Sequence, residues 1–205
     1  MGVRNQLAGT GAAMSLTGGA TLLGMKPALS EAAAYSQRVQ RFRAQGVSEQ
    51  QVRNAKDFVA SHPVLGNSQT ELMKLYTESW AITRDQHHTQ DATVQLARAE
   101  TAIKMLGNQG LLTPEQTESF NQLSYAMLKN AELRNEIQDP KRLARFINES
   151  VKAFAVTQTM VTPKDTNDFM KRGGSAAKDI DRSEYFLCLR ALDPGNGRRV
   201  HRERP

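Results

Sequence analysis

The chain has 205 residues, of which 39% are apolar and 23% charged, so it carries enough apolar side chain for one buried core and is not a disordered polyelectrolyte. Its single cysteine, Cys188, excludes an internal disulfide and a cysteine-rich metal cluster. The net charge of +6 is unevenly placed: Arg190 to Pro205 carries five Arg against Asp193 and Glu203, a net of +3, which leaves the remaining body nearly balanced, so the basic charge is weak evidence for a nucleic-acid partner and a helical DNA-binding protein stands only as an alternative reading.

In chain order, the first feature is an uncharged stretch from Leu7 to Met25. It approaches the roughly 20 residues that span a bilayer. However, it is mostly Gly, Ala, Ser and Thr, which add little transfer energy and weaken a helix. Residues 1–26 are therefore predicted as a flexible or weakly helical lead-in, with membrane contact through 7–25 as the alternative.

Pro27 opens the first predicted helix, which runs to about Ala44 and stops at Gly46. Ser48 and Gln51 form the ends of a capping box, and Val52, Ala55 and Val59 share one face of the helix that follows. His62-Pro63 ends it and Gly66-Asn67 supplies a turn. Ser68 and Glu71 form a second capping box, followed at helical spacing by Leu72, Leu75, Tyr76, Ser79 and Trp80.

Asp91 reads as the next start, before an apolar stripe of Ala92, Leu96, Ala99, Ile103 and Leu106. Gly107 is placed at the left-handed position that closes this helix. Thr113-Pro114, Asp139-Pro140 and Thr162-Pro163 each set a capping oxygen before a proline. The helices they open carry Phe120, Leu123 and Met127; then Leu143, Phe146, Ile147, Val151 and Phe154; then Phe169 and Met170 before Gly173-Gly174. A last helix is predicted from about Arg182 to Leu189. No segment alternates with period two, so the predicted fold is all-α: an irregular bundle of about six to eight short helices over 27–189, flanked by terminal tails.

No catalytic constellation emerges, and no catalytic, cofactor-binding or metal-binding residue is predicted. His87 and His88 are adjacent, placed between two helices, and point in different directions with no third ligand fixed beside them, so a structural or solvent role is expected. Gly9-Thr10-Gly11 and Gly18-Gly19 precede no Gly-Lys-Ser/Thr and follow no strand, which excludes a phosphate loop. Cys188 sits between Leu187 and Leu189 without a base. Ser48 and Ser68 are explained as caps, and Ser15 has no nucleophile-elbow context. Residues 50 to 84 can be drawn as a helix-turn-helix. Its second helix offers Lys74 and Arg84 against Glu71 and Glu78, a poor surface for phosphates.

Several stretches together resemble one family. They are Ala44-Gln45-Gly46-Val47-Ser48 after Phe42-Arg43, Tyr76-Thr77-Glu78-Ser79-Trp80 with Asp85-Gln86-His87-His88 beyond it, and Lys129-Asn130-Ala131-Glu132-Leu133-Arg134. The order is completed by Val161-Thr162-Pro163-Lys164-Asp165 and Phe169-Met170-Lys171-Arg172-Gly173-Gly174-Ser175-Ala176-Ala177. This order is similar to a helical domain of bacteriophage and prophage tail tape-measure proteins, over roughly Met25 to Leu187. The resemblance implies a non-enzymatic scaffold around which tail-tube subunits polymerise. It implies tail-tube subunits and tail-assembly chaperones as partners, no cofactor, and a location in the bacterial cytoplasm during assembly and then in the virion tail.

The chain departs from that family in lacking long coiled segments and in its last residues, 190–205. These are Arg-, Pro- and Gly-rich, without apolar period, and predict a disordered tail. They read as a frame-shifted end, making the chain a prophage remnant. Nucleic-acid contact is expected only nonspecifically, through the Arg cluster of 198–204.

Overall fold

The computed structural model describes residues 28–157, 163–181 and 184–185, and among these the fold is all-α. Helix α1 covers 28–43. It is followed by α2 (Glu49–Ser61), α3 (Gln69–Thr83), α4 (Gln86–Asn108), α5 (Pro114–Leu133), α6 (Pro140–Val156) and α7 (Pro163–Asp179). Residues 184–185 are again helical. Leu7 to Met25, Pro27, Cys188, Thr162, Arg198 to Arg204 and most of the predicted last helix lie outside the described residues, as does the side chain of Leu123.

Helix boundaries follow local chemistry. Ser48 and Gln51 exchange both capping bonds, the Gln51 amide donating to Ser48 Oγ at 3.2 Å and the Ser48 amide to Gln51 Oε1 at 2.8 Å. Ser68 with Glu71 and Thr113 with Gln116 repeat the arrangement. Asp139 accepts from the Lys141 and Arg142 amides ahead of Pro140. Each cap satisfies amides that the helix itself leaves without partners.

Two predicted boundaries are corrected. Helix α4 begins at Gln86, not at Asp91, because Asp85 caps it: Asp85 Oδ1 accepts from the His88 amide at 2.9 Å. Its other end runs past Gly107 to Asn108, and the left-handed glycine is Gly110, with φ of 73°. Gly107 is needed for a different reason. A Cβ there would stand 2.6 Å from Thr117 Oγ1 on α5, so this glycine sets how closely α4 and α5 approach. Gly107→Ala is expected to cost about 1–3 kcal/mol. Adding Thr117→Ala is expected to restore part of the loss, measured as the urea midpoint of each variant. If both variants unfold at the same point, the close approach is not what the glycine serves.

Helix α7 breaks at the predicted glycine pair, and helix resumes beyond it. Gly174, at φ 54° and ψ −132°, interrupts it in a region open to glycine alone.

The core is one apolar cluster. Helix α4 lies at its centre, packed by α3, α5 and α6, while α2 packs on α3 and α7 on α5. Helix α1 is anchored by Val39 and by Phe42, which is fully buried edge-on to both Tyr76 and Trp80 at ring-centroid distances of 5.4 and 5.7 Å. At the far side Phe120 meets Phe154 edge-on at 5.0 Å, and Phe146, Ile147 and Met170 close the interior. The predicted stripes are buried as expected, with Leu106, Val151 and Phe169 only partly covered. Among the described residues no helix is long and apolar enough to cross a membrane.

Candidate functional site

The most unusual chemistry lies where α3, α4 and α5 meet. Glu100 shares a face of α4 with Leu96 and Ile103, one turn from each, and is only 3% exposed. Its Oε1 has no hydrogen-bond partner among the described residues. Opposite it, α3 carries Glu71, Lys74 and Glu78. The Lys104 ammonium donates to Glu71 Oε1 at 2.8 Å and to the Gly66 carbonyl at 2.9 Å. Lys74 Nζ stands 3.9 Å from Glu78 Oε1, and Ser124 of α5 donates to Glu78 Oε2 at 3.1 Å.

These environments separate the three carboxyls. Burial pushes Glu100 up to about 7; Lys74 and Lys104 pull it down, while Glu78 and Glu71 add to the rise. Burial also raises Glu78, against Lys74 and Ser124. For Glu71 burial acts upward, but the hydrogen bonds from Lys104 and from the Ser68 amide together hold it below its ordinary value.

A second polar group closes the α5 end. Asn130 donates to Thr166 of α7. Arg134 donates to the Ile180 carbonyl at 2.7 Å and lies 4.6 Å over the Tyr185 ring. Its Nε stands 4.0 Å from Glu136 Oε1, and Arg142 Nε donates to Glu136 Oε2 at 3.0 Å. Burial drives the Tyr185 phenol up to about 12, although Thr166 and Arg134 favour its ionised form. Arg134 and Glu136 are buried, so this is an interior clasp tying the chain after α7 to the end of α5.

His87 and His88 lie in the first turn of α4, not between helices. Each faces a different carboxylate: His87 Nδ1 is 3.2 Å from Asp91 Oδ2, and His88 Nδ1 is 3.3 Å from Asp85 Oδ1. Among the described residues no group of three or more His, Cys, Asp or Glu is placed to hold a metal ion. A cleft of about 510 Å³ beside α7 is lined by Asp165, Asp168, Phe169, Arg172 and Gly173. Helix α3, the second of the helix-turn-helix pair, is packed by α2, α4 and α5 and buries seven of its side chains, so little of it faces outward.

Sequence reasoning misses Glu100 altogether and marks Arg134 only as a member of a resembling stretch. Glu100 had a signal, since it falls inside the apolar stripe of α4. The role of Arg134 had none, because the Ile180 carbonyl and the Tyr185 ring it reaches lie 46 residues or more along the chain.

Compared with known proteins, the chain matches no family model, no curated protein and no solved structure.

Proposed function

We propose that the helical body is a structural segment of the tape-measure type, a scaffold element for the assembling tail tube of a phage or prophage. What supports this reading is the place of the resembling stretches in the fold. Gln45 of the first stretch donates to the Thr77 carbonyl of the second at 3.1 Å, and Arg84, just beyond, donates back to the Gln45 carbonyl at 3.3 Å. Phe42, preceding the first, packs on Tyr76 and Trp80 of the second. Asn130 and Arg134 of the third reach Thr166, Ile180 and Tyr185 around the last. The stretches thus meet as joints of one helical body.

Tail-tube subunits and tail-assembly chaperones are the partners this reading calls for. Co-expression of the full chain with tail-tube and chaperone proteins from tailed phages tests it. Co-purification of a defined complex is the expected result. Consistent recovery of the chain alone, folded and uncomplexed, would count against the scaffold role.

A further inference from the structure

We propose that Glu100 makes the contact between α3 and α4 a proton-operated joint, closed while its carboxyl is protonated and loosened when it ionises. The geometry carries the case. An ionised carboxylate in the interior needs water or a committed cation. Glu100 is nearly sealed from solvent, and its Oε1 finds no partner among the described residues. Of the two nearby ammonium groups, Lys104 donates to Glu71 and to the Gly66 carbonyl, and Lys74 stands 3.9 Å from Glu78 Oε1; their pull on Glu100 is outweighed by its burial.

Among the described residues the neighbouring elements supply no other cation. Helix α5 sends Ser124, an uncharged hydroxyl that donates to Glu78. Its Lys129 is paired with Glu132, and its Glu118 is exposed. Helix α6 turns Leu143, Phe146 and Ile147 inward and keeps Lys141, Arg145 and Lys152 exposed. From α1, Arg38 acts on Glu78. Ionising Glu100 would therefore add a third carboxylate charge beside Glu71 and Glu78, whereas the neutral carboxyl fits the apolar face it occupies.

The direction with pH follows. The folded value, about 7, lies above the ordinary 4.5, so the folded chain holds more protons in that window. The joint is fully closed below the lower value, weakens as pH rises toward the upper one, and loses nothing further above it.

Amide hydrogen exchange on the full chain, corrected for the intrinsic pH dependence of exchange, reads the opening directly. Between about pH 5.5 and about pH 8.5 the opening of α3 and α4 is expected to rise about thirtyfold in the wild type and to stay nearly level in Glu100→Gln. An equal rise in both proteins, or no rise in the wild type, overturns the proposal. Carbon-13 titration of the wild-type Glu100 carboxyl decides independently of whether the variant folds. A midpoint near neutrality supports the joint, and one near the ordinary glutamate value overturns it.

Discussion

Phe42→Ala is expected to lower stability by about 4–5 kcal/mol, toward the top of the range for a buried phenylalanine. The side chain is completely buried, and its loss removes two edge-on aromatic pairs in addition to the buried area. Against a typical total of about 5–15 kcal/mol, that is enough to unfold a marginal domain. The effect should also be local. Helix α1 holds to the body mainly through Phe42 and Val39, with Tyr35 half-buried beside them. Its amides should then exchange far faster in the variant than those of α4. Leu29→Ala, on the same helix but 54% exposed, is the control and should change stability by less than about 0.5 kcal/mol. Equal urea midpoints for the two variants would remove Phe42 from the core.

The second large effect is expected at the interior clasp. Arg134→Met keeps the volume but takes the charge from beside Glu136 and the donor from the Ile180 carbonyl, at a cost of about 3 kcal/mol. Arg142 binds the same Glu136 from a side chain that is half exposed, so Arg142→Met should cost only about 0–1 kcal/mol. A double-mutant cycle of Arg134→Met with Tyr185→Leu isolates the stacking of guanidinium on ring, worth about 1–2 kcal/mol in a desolvated setting. Strict additivity would mean the two groups merely lie near each other.

How far this fold can be read from its sequence depends on the reach of each signal. The capping boxes at Ser48, Ser68 and Thr113 are legible because all their atoms lie within four residues. The start of α4 is misplaced for an equally physical reason. Asp85 is followed by Gln86, His87 and His88, with no apolar residue in the first turn, whereas Asp91 stands directly before Ala92. Gly107 could be recognised as a necessary glycine, but its reason is a threonine on another helix, which no local pattern reveals.

The polar interior is the least legible part. A glutamate in an apolar stripe reads as a surface residue at the stripe's edge, until the packing of α3, α5 and α6 around α4 leaves it no edge. The resemblance drew attention to Asn130 and Arg134 as members of a motif. Only the fold shows that they bind Thr166 and the Ile180 carbonyl.

The self-contained helix ends have a consequence for how the chain is made. Each of these caps completes once a few residues are available, so where a helix starts is settled by its own residues as the polypeptide leaves the ribosome, while packing against its neighbours supplies most of its stability. The long-distance ties, Phe42 to Tyr76 and Arg134 to Ile180, can then join elements whose starts are already set. A body assembled this way can be opened at its joints and closed again without rebuilding its parts.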